Sequence, residues 1–248
     1  MFHPQKTVAA AATAAKRALR RLSRPPGDFD ASRYFRGDHR LRFYNTGASH
    51  LRLLSREIHL AQRERWTLKE AIAFADLLMP DPYLEVKAVG LEVVARYRRD
   101  FTPTLLGQCK RWLANGYAAN WATTDEMCGV LIGPVLLTHP ELMPRMRGWS
   151  AHRNMWVRRA SIVGLLPPVR RGSTHAVDLV YEIAKRLHSD PNDLIHKAVG
   201  WALREAGKID SQRLERYLRA NVRVIPRTTF RYAIERFTAL RRRELLVI

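Results

Sequence analysis

Leu84-Glu-Val-Lys-Ala-Val-Gly-Leu-Glu-Val-Val94 has a counterpart in Leu194-Ile-His-Lys-Ala-Val-Gly-Trp-Ala-Leu-Arg204, and both carry Lys-Ala-Val-Gly at their centre. Met155-Trp-Val-Arg-Arg-Ala-Ser-Ile-Val163 is a third variant of the same theme. In each stretch apolar residues follow the alanine at helical spacing. A small residue can then lie at a tight helix crossing while the basic residue before it faces solvent. The pattern predicts helix pairs stacked along the chain.

Helical periodicity continues through most of the chain, with Pro, Gly, Asp or Asn in most joints and almost no signal for β-strands. These features predict an all-α, single-domain, right-handed solenoid of HEAT-like antiparallel helix pairs with a concave basic face. The candidate helices are Ala48–Arg63, Thr67–Leu78, Pro82–Arg99, Pro103–Ala114, Thr124–Thr138, Glu141–Trp149, His152–Leu166, Thr174–Leu187, Asn192–Gly207, Ser211–Ala220 and Thr228–Arg243.

Both ends of the chain are basic. Residues 7–24 are rich in Ala and Arg and contain no acid, a composition also found in mitochondrial transit peptides. We expect the first helix of the fold here, because Ala favours helix and the basic residues suit its C-terminal end. Pro25-Pro26-Gly27 would stop that helix. We predict one domain over 1–248 and expect its last Arg-rich turn, 241–248, to fray.

The charge of the chain indicates its class of partner. It has 43 Lys and Arg against 23 Asp and Glu, a net charge of +20, and its 46% hydrophobic content is ample for a buried core. The charge is therefore expected on a folded surface. Phosphates favour such a surface through release of counterions. Nucleic acid is the preferred partner, ahead of an anionic membrane or an acidic protein.

Several kinds of site lack support in the sequence. Cys109 and Cys128 are the only cysteines, which predicts reduced core thiols in a cytosolic protein. The nine histidines show no metal-ligand spacing. There is no phosphate-cradling Gly-rich loop, His-Glu-x-x-His or Gly-x-Ser-x-Gly elbow. Nucleotide hydrolysis, zinc proteolysis and serine hydrolysis are therefore not predicted.

One interval without basic residues stands out within this basic chain. From Trp112 to Pro144 there is no Lys or Arg, and Trp121-Ala-Thr-Thr-Asp125 places an aromatic residue four positions before a carboxylate. Such an acid is suited to face a cation, for example a cationic base or sugar within DNA. Alternatively, Asp125 only complements the dipole in the first turn of a helix. Trp121 and Trp201 would then be core residues, and Arg159 and Arg204 solvated ones.

Four further blocks follow one another along the chain: Trp121-x-x-x-Asp125, Thr138-His-Pro-Glu-Leu142, Asn154-Met-Trp-Val-Arg-Arg-Ala160 and Ile195-His-Lys-Ala-Val-Gly-Trp-Ala-Leu-Arg-Glu205. In this order they resemble the AlkD-type alkylpurine DNA glycosylases. The resemblance covers most of the chain and extends N-terminally through Arg33-Tyr-Phe-Arg-Gly37 and Leu51-Arg-Leu-Leu54. It implies an all-α HEAT-like solenoid that grips duplex DNA. It also implies a monofunctional hydrolase that releases N3- or N7-alkylated purines without metal, cofactor or covalent lysine.

The resemblance also implies roles for particular residues. Asp125 would stabilise positive charge on the deoxyribose and orient or deprotonate the attacking water. The rings of Trp121 and Trp201 would pack against the sugar and the cationic lesion. The residues expected to bind DNA are Arg159, Arg204, Lys197, Arg170 and Arg171, and those expected to line the lesion site are Tyr34 and Asn45.

Two positions depart from the family pattern. Gly47 stands where many members have Pro, and Pro167 stands where the family often has a basic residue, for which Arg170 or Arg171 could substitute. The expected partner is double-stranded DNA containing alkylated bases, with no membrane, cofactor or obligate protein partner. A monomer in the bacterial cytosol is expected. The alternatives are a non-catalytic HEAT-like module for distorted or branched DNA, and a protein-binding helical scaffold.

Overall fold

The computed structural model describes residues 3–4, 6–27, 35 and 41–247. The regular secondary structure of these residues is helical. They contain no β-strand, and Arg42 and Tyr83 form an isolated β-bridge. The all-α prediction is therefore confirmed. None of the helices in these ranges is long and apolar enough to cross a membrane. The chain forms two compact units, Met1–Leu131 and Ile132–Ile248, and the expectation of a single domain stays a prediction.

Unit 1 is built around one apolar helix, α4, which packs against α1, α2, α3 and α6. Nine of its twelve residues are buried, so α4 is enclosed by its neighbours. A 3-10 turn, Arg98–Asp100, follows it. The helices of this unit are α1 (Val8–Arg21), α2 (Ala48–Gln62), α3 (Leu68–Leu78), α4 (Leu84–Ala95), α5 (Pro103–Ala114) and α6 (Trp121–Met127).

Unit 2 is built around α12, which packs against α9, α10, α11, α13 and α14. A 3-10 turn, Pro140–Leu142, separates its first two helices. The segment expected to fray, 241–248, is helical through Leu246. The helices are α7 (Gly133–Thr138), α8 (Arg145–Ser150), α9 (Met155–Val163), α10 (Leu166–Arg170), α11 (Thr174–Leu187), α12 (Asp193–Gly207), α13 (Ser211–Ala220), α14 (Arg227–Ala233) and α15 (Ala239–Leu246).

Asparagine caps fix where three of these helices begin. The Oδ1 atoms of Asn120, Asn154 and Asn192 accept backbone N–H groups of the first turns of α6, α9 and α12, at 2.8 to 2.9 Å. Such a cap satisfies an otherwise unpaired donor and is worth about 1 kcal/mol. These are the helices that carry Asp125 and Arg159, and both tryptophans of the predicted site. Their first turns are therefore set by local sequence.

Helix boundaries differ from the sequence prediction at several points, and the helix expected over Thr228–Arg243 is two helices, α14 and α15. Two of the differences lie near proline. The helix expected over Thr124–Thr138 is interrupted by a π-helical turn, Cys128–Ile132. Pro134 follows this turn and has no N–H to donate to the preceding turn, which accounts for the change in pitch. Helix α10 was missed, because Pro167 and Pro168 suggested a break. They occupy its first turn, where a missing N–H costs nothing.

The tight helix crossing predicted at the Lys-Ala-Val-Gly repeats is confirmed at Gly200, where glycine is the residue that permits it. On α12, a Cβ added to Gly200 would lie 2.4 Å from Cβ of Tyr232 and 2.6 Å from the carbonyl oxygen of Thr229 on α14. On α4, a Cβ added to Gly90 would lie 3.4 Å from Cβ of Leu78 on α3. The two repeats therefore occupy the central helices of the two units, and the crossing at Gly200 is the tighter.

The expectation that the basic residue of each repeat faces solvent is wrong for two of the three. Lys87 is buried, and its Nζ donates to the carbonyl oxygens of Met79 at 2.5 Å and Tyr117 at 2.9 Å. Arg159 is also buried, whereas Lys197 is partly exposed. Met79 caps the C-terminus of α3, where carbonyls lack helical partners. The buried ammonium of Lys87 satisfies such a group while gaining hydrogen bonds for itself.

The glycine crossings predict a contrast between matched substitutions. Gly200→Ala should lower the free energy of unfolding by about 1–3 kcal/mol, because backbone atoms of α14 must move to admit the methyl group. Gly90→Ala places its methyl group at ordinary contact distance and gains helix propensity, so its stability should stay within about 1 kcal/mol of wild type or rise. Urea denaturation followed by circular dichroism measures both. Equal losses in the two variants would contradict the crossing distances.

Candidate functional site

Trp121 and Asp125 lie on one face of α6 in unit 1. Trp121 is the first residue of the helix and Asp125 lies four residues later, which brings their side chains to adjacent positions. Both are partly buried. The helix begins at Trp121, three residues before the start that the sequence suggested, and its first turn contains no acid. The alternative in which Asp125 only complements the dipole from the first turn is therefore wrong.

An aromatic residue that sequence reasoning did not select covers Trp121. The ring of Phe35 stacks on Trp121 at a centroid distance of 5.1 Å and an interplanar angle of 8°. Phe35 also contacts Phe43, with centroids 5.3 Å apart. Tyr34, which was predicted to line the lesion site, lies outside the described residues. The adjacent pair Tyr34-Phe35 was the available sequence signal, and it does not indicate which ring faces Trp121.

Glu126 provides a carboxyl group that titrates near neutral pH. Burial, and to a smaller extent the nearby carboxylate of Glu92 on α4, together raise its pKa from 4.5 to about 7. Glu126 follows Asp125 directly, so the two side chains diverge by about 100° around α6. Helix α6 therefore carries one carboxyl on the face of Trp121 and a second that is partly protonated at neutral pH.

Asn45, also predicted to line the lesion site, has a clear role in the backbone path before α2. It adopts a φ of 57°, and its Nδ2 donates to the carbonyl oxygen of Arg24 at 3.2 Å. The buried carboxylate of Glu85 accepts the N–H groups of Tyr44 at 3.0 Å and Asn45 at 2.7 Å. Gly47 has a φ of 77°, which proline cannot adopt. The proline that many family members have here therefore does not fit the backbone at Gly47.

In unit 2, Trp201 lies beside a cluster of three cations around one carboxylate. The guanidinium carbon of Arg170 is 5.6 Å from the centroid of the Trp201 ring, and its Nε donates to Glu205 at 3.1 Å. Lys208 Nζ donates to both oxygens of Glu205 at 2.8 Å, and Arg204 Nε lies 3.8 Å from it. The structure thus brings Trp201, Arg170 and Arg204 together, and adds Glu205 and Lys208, which sequence reasoning missed.

The pKa of Glu205 reflects this environment. Burial alone would raise it, but hydrogen bonds from Lys208 and Arg170 lower it below its usual value. Glu205 is 5% exposed, so its charge depends on those cations. Pro167, three residues before Arg170, packs closely on Gly133, where an added Cβ would lie 2.2 Å from Cγ of the proline. That Arg170 or Arg171 substitutes for the basic residue that Pro167 replaces stays a prediction.

The remaining predicted DNA-binding residues of unit 2 are arranged differently from one another. Arg159 is 5% exposed, and its Nη1 donates to the carbonyl oxygen of Leu194, which joins α9 to α12. Lys197 forms an i,i+4 ion pair with Asp193 at 2.8 Å. Arg171 is exposed at the C-terminal end of α10. Lys197 and Arg171 are more exposed than Arg159, whose described contact is structural. That these three residues bind DNA stays a prediction.

The described residues contain no group of three His, Cys, Asp or Glu side chains that could hold a metal ion. Cys109 and Cys128 are both buried. Burial raises the pKa of the Cys109 thiol far above its usual value, so this group is unreactive at neutral pH. The charged and aromatic side chains described above are therefore the candidates for chemistry.

The raised pKa of Glu126 predicts a pH-dependent effect on stability. The folded state disfavours the charged form, so folding is penalised as the pH rises from the ordinary value of 4.5 through about 7. Glu126→Gln should therefore stabilise the protein by up to about 3 kcal/mol more near pH 8 than near pH 5. Chemical denaturation at the two pH values measures the difference. The same effect at both would show that Glu126 titrates normally.

Comparison with known proteins agrees with these observations. Residues 15–237 match the family described as DNA alkylation repair enzyme. A solved structure described as a predicted DNA alkylation repair enzyme from Enterococcus faecalis superposes with a TM-score of 0.71 at 16% identity. The alignment covers 96% of this chain and 99% of that one, which shows that they share a fold. No curated protein sequence matches the chain. Because the family match spans most of its residues, the chain belongs to the family of DNA alkylation repair enzymes.

Proposed function

We propose that the protein is a monofunctional DNA glycosylase that hydrolyses the N-glycosidic bond of cationic N3- or N7-alkylated purines in duplex DNA. Three features support the proposal: membership of an alkylation repair family, the net charge of +20, and the pairing of Trp121 with Asp125 on one helix face. The last carries the argument, because it offers an aromatic face and a carboxylate to one cationic nucleotide. The bacterial cytosol, with DNA in reach, is the proposed setting.

The chemistry suits a lesion that already carries positive charge. A water oxygen bonds to C1′ while the bond from C1′ to the purine nitrogen breaks, and the bonding electrons neutralise the departing base. Positive charge develops on the sugar during this step, and Asp125 stabilises it electrostatically. Asp125 also orients the water and accepts its proton. No protonation of the leaving base is needed, so the step requires no general acid at the purine.

Aromatic and basic residues complete the proposed site. Trp121 attracts the cationic lesion or sugar through its ring face, and the resemblance assigns the same role to Trp201. Arg170, Arg204, Lys197 and Arg171 are proposed to contact backbone phosphates, which position the duplex without reading its sequence. The resemblance also implies that Arg159 binds a backbone phosphate. Tyr34 and Asn45 remain proposed lining residues, and a monomer without metal or cofactor is proposed to suffice.

A non-catalytic module that binds distorted or branched DNA is the second candidate. The basic composition supports it as well as it supports the enzyme. Trp121 and Asp125 favour the enzyme, since a binding module gains nothing from a carboxylate beside phosphates. A protein-binding scaffold is the third candidate. Release of free base separates the enzyme from both alternatives.

Asp125→Asn should abolish base excision while retaining fold and duplex affinity, because it keeps the size of the side chain and removes its charge. The loss of one transition-state charge should lower the single-turnover rate at least about a hundredfold. Glu126→Gln is the matched control, since it neutralises the neighbouring carboxyl on another face of the same helix. It should retain most activity. A folded Asp125→Asn protein with wild-type excision would refute the assignment.

Substrate choice should follow the charge of the lesion. In otherwise identical duplexes, 7-methylguanine and 3-methyladenine should be released, while uracil and hypoxanthine should not. A desolvated cation gains about 2 kcal/mol or more from an aromatic face, and a neutral base lacks both this gain and a good leaving group. Glu126 titrates near neutral pH but diverges from Asp125 around α6, so it is not expected to protonate the base. Efficient uracil release would reveal an unrecognised proton donor.

A further inference from the structure

Glu205 is an unusual residue for a chain that favours polyanions, because it is a buried carboxylate among cations expected to bind DNA. It is 5% exposed, whereas the side chains of Arg170 and Lys208 are 51% and 47% exposed. The carboxylate therefore lies beneath its cations. A negative charge in this position either weakens phosphate binding by neutralising them or strengthens it by fixing their positions.

The geometry favours the second effect. Arg170 uses only Nε on Glu205, so the two terminal amino groups of its guanidinium remain as donors toward solvent. The same guanidinium lies over the Trp201 ring, which restricts the long side chain from a second direction. Arg204 Nε lies 3.8 Å from Glu205, which is too far for a hydrogen bond, and Arg204 Nη1 donates to Glu235. Glu205 thus orders Arg170 and Lys208 through hydrogen bonds and attracts Arg204 over a longer distance.

Ordering has a measurable consequence for binding. A free Arg or Lys side chain loses rotamer freedom when a phosphate immobilises it, which lowers its net gain on binding. Arg170 has already lost much of that freedom through Glu205 and Trp201, so less is lost when DNA binds. The cluster of Glu205, Arg170, Arg204 and Lys208 still carries two net positive charges.

We propose that Glu205 is a positioning residue for DNA binding, which holds Arg170 against Trp201 and sets Arg170, Arg204 and Lys208 as a preformed site for backbone phosphates of duplex DNA. The inference rests on one part of the proposed function, namely that the protein binds duplex DNA. It identifies Lys208 as a phosphate contact and Glu205 as the residue that positions the cations of the cluster.

The direction in which one substitution changes DNA affinity distinguishes positioning from neutralisation. Glu205→Gln keeps the shape of the side chain and removes a negative charge. If Glu205 only neutralised its cations, the variant would bind undamaged duplex DNA more tightly, because three cations would be released to phosphates. If Glu205 positions them, affinity should instead fall about threefold to tenfold at moderate salt. Glu182→Gln is the matched control, because Glu182 pairs with Arg147 at 2.7 Å and is exposed. That variant should bind as wild type or slightly more tightly.

A double-mutant cycle tests whether the effect runs through Arg170. Arg170→Gln alone should weaken duplex binding about fivefold to tenfold and reduce the slope of log affinity against log salt by about one. In the Glu205→Gln background the same substitution should change affinity less than twofold. An equal effect in both backgrounds, or tighter binding by Glu205→Gln, would overturn the proposal.

Circular dichroism shows whether Glu205→Gln folds. If it does not, Arg170→Lys tests the same proposal. Lysine retains the charge but cannot both stack on Trp201 and bond Glu205 through a planar fork. It should lose at least about threefold in affinity at unchanged net charge. Wild-type affinity in Arg170→Lys would overturn the proposal. Undamaged duplex is the probe throughout, so absence of base excision would count against the proposed function and leave this result standing.

Discussion

Burial of a carboxylate is costly unless donors surround it, and this constraint organises the polar interior of both units. Glu85 is held by two backbone N–H groups in unit 1. Asp190 is held by the guanidinium of Arg158 at 2.6 Å in unit 2, and Glu205 by its cluster of cations. Glu126 lacks such support, and its pKa rises to about 7 instead. Each of these four acids thus either accepts hydrogen bonds from surrounding donors or gives up its charge.

The same constraint connects the fold to the proposed chemistry. Lys87 and Arg159 show the complementary rule for cations, since each enters the interior only by donating to backbone carbonyl oxygens of neighbouring elements. These contacts hold the helices that carry the aromatic residues. Trp121 lies at a capped helix start and Trp201 on the central helix of unit 2. Side chains that are held rigidly can stabilise a transient cation more strongly than water does, because they need not reorient as the charge develops.

Local patterns predicted much of the fold. Helical periodicity and the small residues of the Lys-Ala-Val-Gly repeats predicted the all-α class and the close crossings of the two central helices, because both features depend on neighbours along one helix. The π-helical turn before α7 and the proline-led α10 were not predicted, since proline permits a helix start as readily as a helix end. The start of α6 at Trp121, fixed by Asn120, was also misplaced by three residues.

The candidate site was less accessible from sequence. The pairing of Trp121 with Asp125 follows from a spacing of four and could be predicted. The cluster at Glu205 could not, because Arg170 and Glu205 are 35 residues apart and meet only through the packing of α10 on α12. The burial of Arg159 and the stacking of Phe35 on Trp121 are likewise tertiary. Residue types thus indicated the chemistry, and packing decided which charges are ordered.

The central claim is that this chain breaks glycosidic bonds of cationic purines rather than only binding DNA. The most direct measurement is chromatography with mass spectrometry of the small molecules released from methylated duplex DNA, with unmethylated duplex as control. The account predicts free methylpurine from the methylated duplex alone, abasic sites in a strand that stays uncut, and no requirement for added metal. Tight binding of the methylated duplex without any released base would contradict it.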